Sequence, residues 1–123
     1  MPFSVTIART FCAAHALRLP GGVLEPIHGH NWQVRVTVAR DDGGLDDVEC
    51  VVDFHVLEER LDAVLEPWRN ANLNDIPPFD AAVNPTAERV AEQVGRQLQL
   101  PEGVRAVEVT ITEAEGCLAR WAP

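Results

Sequence analysis

His28-Gly29-His30 places two imidazoles at i and i+2, just ahead of an alternating apolar run of Trp32, Val34, Val36 and Val38. Side chains two residues apart in an extended chain share a face, so both rings can aim at one point, with Gly29 clearing space between them. His15 closes a second alternating run. Three imidazole nitrogens can hold one metal ion and leave a coordination position open for chemistry. Glu113 ends a third apolar stripe and adds a carboxylate to the set. Taken singly, each of these residues also reads as a half-exposed strand-end group hydrogen-bonded to loops.

The elements that must position them follow from the patterning. Residues 3–14 alternate: Val5, Ile7, Phe11 and Ala13 share a parity that His15 continues and Arg9 interrupts. Pro20-Gly21-Gly22 marks a loop. A second strand spans residues 30–39, Asp41-Asp42-Gly43-Gly44 turns the chain, and residues 48–52 read as a short extended stretch. Asp53 caps a helix with Leu57, Leu61, Val64, Leu65 and Trp68 on one face, ended or kinked by Pro67. After a loop at Pro77-Pro78, the segment Asn84-Pro85-Thr86 opens a second helix with Ala87, Val90, Ala91, Val94 and Leu98 on its apolar face, closed by Pro101 and Gly103. Val107, Val109 and Ile111 form a third strand ending at Glu113. Glu115-Gly116 turns the chain, and residues 117–121 return as a fourth strand.

This order predicts an α+β fold: a four-stranded antiparallel sheet with two helices inserted between strands 2 and 3 and packed on one face (ββααββ). If no bulge intervenes, His15, His28, His30 and Glu113 all face the helices. A carboxylate and three imidazoles beside an apolar layer are costly unless paired or ligated, so together they read as a site. Open sheet edges predict a symmetric oligomer that joins sheets edge to edge.

Length predicts a single domain over residues 1–123. The net charge of -9 argues against a nucleic-acid partner. No apolar run is long enough to span a bilayer, and the N-terminus shows no secretory pattern, so a cytoplasmic protein is expected. Cys12, Cys50 and Cys117 lack Cys-x-x-Cys spacing and read as free thiols, buried in the core or at an interface. His55 reads as a surface residue.

Phe11-Cys12-Ala13-Ala14-His15, the run from His28 to Trp32, Val51-Val52-Asp53-Phe54, Leu73-Asn74-Asp75, Asn84-Pro85-Thr86-Ala87-Glu88 and the late Glu113 follow one another in this order. In this combination the chain resembles the 6-pyruvoyltetrahydropterin synthase and 6-carboxytetrahydropterin synthase family over nearly its whole length. The resemblance implies a tunnelling fold (T-fold), with three subunits closing their sheets into a barrel and two trimers stacking into a homohexamer. It implies Zn2+ held by His15, His28 and His30, polarising the oxygens of a reduced pterin side chain. It also implies that Glu113 anchors the pterin, accepting parallel hydrogen bonds from the ring N–H and the 2-amino group. Thr86 falls in the segment that lines the pocket, and is equally a helix N-cap.

The chain departs from that pattern where protons move. Leu24 stands where the synthases carry a cysteine, and Arg69 and Asn70 stand where they carry an Asp-His pair. Glu25, three residues before His28, resembles instead the branch in which a glutamate replaces the cysteine. That branch converts 7,8-dihydroneopterin triphosphate to 6-hydroxymethyl-7,8-dihydropterin, a folate precursor. Glu25 is therefore the candidate general base, its other reading being a solvated loop acid before Pro26. The expectation is a zinc-dependent lyase acting on a reduced pterin, in folate or queuosine biosynthesis. The rivals are 6-carboxytetrahydropterin formation by rearranged proton carriers, a catalytically impaired zinc- and pterin-binding homologue, and a structural subunit in which zinc only stabilises loops.

Overall fold

Alternation becomes strand here wherever its apolar parity finds a covering helix. A computed structural model describes residues 2–123. In chain order its elements are β1 (Val5–His15), β2 (Arg18–Leu19), β3 (Val23–Leu24), β4 (His28–Arg40), α1 (Phe54–Leu65), β5 (Ala71–Asn72), α2 (Ala87–Gln97), β6 (Val104–Ala114) and β7 (Cys117–Trp121). The main sheet runs β5-β1-β4-β6-β7, and β2 pairs with β3 as a separate small hairpin. Each neighbouring pair among the four long strands is antiparallel, and both helices lie between the second and third of them, as their order predicts.

The sheet has five strands rather than four. β5 lies parallel to β1 and pairs only with Ala13 and Ala14, a segment too short to show any alternation. Residues 48–52 do not form a strand. Asp46 Oδ1 accepts from the Val48 and Cys50 amides, both at 3.0 Å, and Glu49 takes a positive φ of 65°. Val51 and Val52 are nevertheless buried. The carboxylate satisfies backbone donors that a strand would have offered to a neighbour.

One face of the sheet carries the core. Ile7, Phe11 and Ala13 of β1 and Trp32, Val34, Val36 and Val38 of β4 pack with Val109 and Ile111 of β6 against Leu57 and Leu61 of α1 and Val90 and Val94 of α2. Each such side chain contributes about 1.5–3 kcal/mol of hydrophobic stabilisation. Arg9 breaks the stripe because α1 answers it, with Asp62 at 2.9 Å from Nε and Glu58 at 2.9 Å from Nη1. Val107 leaves the stripe too. The β4–β6 register shifts at Thr37/Val38, so Val107 falls in a bulge while Val104 is buried in its stead.

The helix starts match their sequence signals. Asp53 Oδ1 accepts from the His55 amide at 2.8 Å, and Thr86 Oγ1 accepts from the Arg89 amide at 3.1 Å. Pro67 converts the end of α1 into a 3-10 turn, Glu66–Trp68, that buries Trp68. The cysteines are corrected in part. Cys12, Cys50 and Cys117 are free, but all three are exposed on the chain, so none is a core thiol. His55 is exposed as expected. Among the described residues no helix is long and apolar enough to cross a membrane.

β7 is held to α2 by an unusually close approach. A Cβ on Gly95 would lie 2.0 Å from the Trp121 ring, inside any permitted contact. Elsewhere in a helix, Gly→Ala gains about 1 kcal/mol of propensity. Here overpacking, worth about 1–3 kcal/mol, reverses the sign. Gly95→Ala is therefore expected to lower unfolding free energy in urea titration, and the added Trp121→Leu substitution to recover part of the loss. A Gly95→Ala protein at least as stable as the parent would show that this packing is not tight.

Candidate metal centre

The register of β1 on β4 sets His15 opposite His28 and Ala13 opposite His30. All three imidazoles emerge on the helix-covered face, as strand parity requires. One nitrogen from each lies within 4.8 Å of the others, a spacing that a single metal ion can bridge. Ala13, small and buried, leaves room for the His30 ring beside it. Gly29 does not have the space-clearing role expected of it. A Cβ there would meet only the Ala13 carbonyl oxygen at 3.8 Å, an ordinary contact, because residue 29 points to the opposite face.

Trp32 forms the floor of the cluster. Its ring stands edge-on to His15 and His30 at centroid distances of 4.8 and 5.3 Å, and its Nε1–H donates to the Ala13 carbonyl. Backbone carbonyls orient two of the imidazoles. His15 Nδ1 lies 2.7 Å from the Pro85 oxygen, and His28 Nδ1 lies 2.8 Å from the Pro26 oxygen. A carbonyl can only accept, so Nδ1 carries the proton and Nε2 presents its lone pair. Carbonyl partners of this kind fix the tautomer and direction of metal-binding histidines. Burial pushes His30 below the ordinary histidine pKa, against an opposing pull from Glu113, which favours the neutral ring that a metal requires.

The fit to a metal rests on two atoms. His15 Nε2 and His30 Nε2 are buried and make no hydrogen bond. Leaving a buried polar atom unpaired costs about 1–3 kcal/mol. A cation bridging them would remove that cost, and an all-imidazole donor set suits zinc and neighbouring transition metals.

Two carboxylates flank the rings. Glu25 Oε1 lies 3.9 Å from His28 Nε2 and accepts the Leu17 amide at 2.9 Å. Glu113 Oε1 lies 3.1 Å from His15 Nε2 and 3.6 Å from His30 Nε2. Glu113 also borders a cleft of about 270 Å³ with Ala87, Glu88, Cys117, Leu118 and Ala119. Thr86 adjoins this cleft in sequence, although its hydroxyl is used as a cap. A more apolar hollow between Phe3, Leu45, Val48 and Phe54 lies at the other end of β1, away from the histidines.

Leu24 is exposed, and the positions of the Asp-His pair serve structure in this chain. Arg69 Nη1 donates to the Thr10 carbonyl, and the guanidinium faces Asp62. Asn70, at a positive φ of 56°, donates its amide to the Cys12 carbonyl. Both tie the end of α1 to β1.

What sequence reasoning missed is the support beneath His15 and Glu25. Asn74 accepts from the Ala16 amide at 2.8 Å and donates to the Ala16 carbonyl at 2.8 Å. Asn84 does the same for Arg18, at 2.9 and 3.1 Å. Between them, Leu17 exchanges bonds with Glu25, its amide to the carboxylate and its carbonyl to the Glu25 amide. Two side-chain amides and one carboxylate thus replace strand neighbours for residues 16–18. The visible signal was the pair of Asn-containing motifs, whose spacing to His15 is long in sequence.

A family model for 6-pyruvoyl tetrahydropterin synthase matches residues 4–122. Among solved structures, 6-pyruvoyl tetrahydropterin synthase from Caenorhabditis elegans superposes with a TM-score of 0.79 at 22% identity, covering 98% of this chain and 95% of that one. The enzyme from Plasmodium vivax, in a form with a catalytic glutamate changed to alanine, gives a TM-score of 0.68 at 17% identity, covering 98% and 97%. The Plasmodium falciparum enzyme gives 0.64 at 17% identity, covering 98% of each chain. These structures share the T-fold with this protein. No curated protein matches its sequence.

The clamp gives a direct test. Asn74→Ala leaves the Ala16 amide and carbonyl unpaired in a part-buried place, at a cost of about 1–3 kcal/mol. The expected result is a lower urea midpoint with an unchanged slope. An unchanged midpoint would show that water replaces the amide freely.

Proposed function

The chain belongs to the 6-pyruvoyl tetrahydropterin synthase family, and from that premise we propose that it is a zinc-dependent lyase acting on the side chain of a reduced pterin. The substrate that fits best is 7,8-dihydroneopterin triphosphate. The observation that carries this reading is the convergence of His15, His28 and His30, two of them with buried, unpaired Nε2 atoms, beside the Glu25 carboxylate.

His15, His28 and His30 hold the ion, their rings pre-set by the Pro85 and Pro26 carbonyls. Zinc held there would supply Lewis-acid polarisation of the pterin side-chain oxygens. Glu25 is the general base. Its carboxylate is kept beside His28 by the Leu17 amide, and its second oxygen remains free to take a proton. Removal of a side-chain hydroxyl proton lets that oxygen become a carbonyl as the adjacent carbon–carbon bond breaks, and the triphosphate-bearing fragment leaves as an aldehyde. The electron pair passes toward the pterin ring, and a proton returns to carbon to leave a 6-hydroxymethyl product. Glu113 accepts the ring N–H and 2-amino group, and the segment at Thr86 borders the ring. The protein works as a homo-oligomer, a hexamer built from two trimers. The Plasmodium vivax relative has a glutamate as a catalytic residue, which supports a glutamate base in this family.

One observation favours a second reading, a zinc- and pterin-binding homologue with impaired catalysis. Arg69 and Asn70 occupy the positions of the usual Asp-His pair and are committed to β1. Mass spectrometry of products from dihydroneopterin triphosphate separates the readings. A 6-hydroxymethyl product supports the lyase, a 6-carboxy product the rearranged synthase, and bound but unchanged pterin the impaired homologue. Glu25→Gln keeps an oxygen for the Leu17 amide but removes the base, so turnover should fall about 10²–10⁴-fold with metal content intact. Undiminished turnover would remove Glu25 from the chemistry.

A further inference from the structure

The guanidinium of Arg18 is given over to backbone carbonyls. Nη1 donates to the Val83 carbonyl at 3.1 Å, and Nη2 donates to the Phe79 carbonyl. Both acceptors lie in a segment, residues 76–86, that forms neither helix nor strand. Phe79 and Pro85 are buried, but between them the chain crosses the surface at Asp80, Ala81 and Ala82. Local turns use its amides: those of Phe79 and Asp80 donate to the Ile76 carbonyl, and that of Val83 to the Pro78 carbonyl. The Phe79 and Val83 carbonyls are gripped from outside, by Arg18.

This segment ends on the group that aims His15. The Pro85 carbonyl lies 2.7 Å from His15 Nδ1, on a ring only 1% exposed. A displaced carbonyl would release the tautomer and direction of that imidazole. Arg18 is also tied to the other side of the site. It pairs with Leu24 in the β2–β3 hairpin, next to Glu25, and the preceding Leu17 exchanges hydrogen bonds with Glu25 itself. Asn84 closes the loop by clamping the Arg18 amide and carbonyl at 2.9 and 3.1 Å. A planar guanidinium suits this place, since its rigid fork can hold two carbonyls at once where an ammonium is a single point.

We propose that Arg18 is a positioning residue of the candidate metal centre. By gathering the Phe79 and Val83 carbonyls it fixes residues 79–85, and through the Pro85 carbonyl it fixes the aim of His15 Nε2. This rests on the reading that the three histidines hold an ion. It also makes one residue the link between the two sides of the site: the hairpin that carries Glu25 and the segment that orients His15 are locked together through Arg18.

The test needs no turnover. Chelator competition measures zinc affinity, and proton NMR of the zinc-loaded protein follows the His15 Nδ1–H, whose exchange with solvent reports its bond to Pro85. Both are measured for the parent, Arg18→Met, Arg18→Lys and Arg60→Ala. Arg18→Met keeps the aliphatic stem and removes every donor. Arg60→Ala is the control: it deletes a guanidinium-to-carbonyl bond elsewhere, from Arg60 to Gln99, at 2.9 Å. The expected result for Arg18→Met is zinc binding weaker by about tenfold, with faster His15 Nδ1–H exchange. Arg18→Lys, able to hold one carbonyl, should fall between it and the parent, and it keeps the test usable if Arg18→Met fails to fold. Arg60→Ala should change neither quantity. If Arg18→Met, or Arg18→Lys in its place, is merely less stable, with zinc affinity and His15 exchange unchanged, the positioning role is overturned while the three-histidine centre stands. Equal losses in Arg60→Ala would overturn it too, since general loosening would then account for the effect. A parent protein that binds no zinc would overturn the metal reading on which the proposal rests.

Discussion

The pairing register of β1 on β4 is the constraint on which the rest of this structure depends. His15 faces His28, and Ala13 faces His30. Side chains in a strand alternate with period two, so a slip of one residue would carry the opposing imidazoles to the solvent face and the valines with them. The same register that buries Phe11 against Trp32 therefore assembles the cluster. The candidate metal centre and the core are one pattern, read further along the strands. Carbonyls orient two of the rings, and the converging, unpaired nitrogens leave a cost that a bound cation would remove.

Beyond the end of β1, side chains take over the role of a strand neighbour, even where Arg18 enters the β2–β3 hairpin. Residues 16–18 leave β1 just after His15 and would expose six backbone groups on a part-buried path. Asn74, Asn84 and Glu25 take up five of them, and the Leu17 carbonyl receives the Glu25 amide. The arrangement has a chemical consequence. Glu25 sits beside His28 because its carboxylate serves as a backbone partner, so the proposed base is held by a structural bond. Loops that carry function are commonly fixed in this way by a rigid scaffold.

The two carboxylates near the histidines differ in restraint. Glu25 is tied by the Leu17 amide and keeps its distance from the rings. Glu113 springs from a bulge and lies against two of the converging nitrogens. A tethered carboxylate suits proton transfer at a fixed point, the part proposed for Glu25. Arg69 and Asn70, by contrast, have been absorbed into holding α1 against β1. Whatever protons move in this site move without them within the single chain.

The amino-acid sequence by itself determined the element order, the helix caps at Asp53 and Thr86, and the shared face of His15, His28 and His30. Each of these follows from local spacing, with a period of two in strands and 3.6 in helices. It did not reveal β5, whose two residues have no pattern, or the irregular path of residues 48–52, where a carboxylate competes with pairing. Nor did it reveal the Asn74 and Asn84 clamps, whose partners lie 58 and 66 residues away. Only the tertiary structure decided that Gly29 spares no space, that Trp32 floors the cluster and that Glu113 leans onto the imidazoles. Parity says which face a side chain takes, but its distance to a group on another strand depends on register, bulges and packing, which are long-range properties of the folded chain.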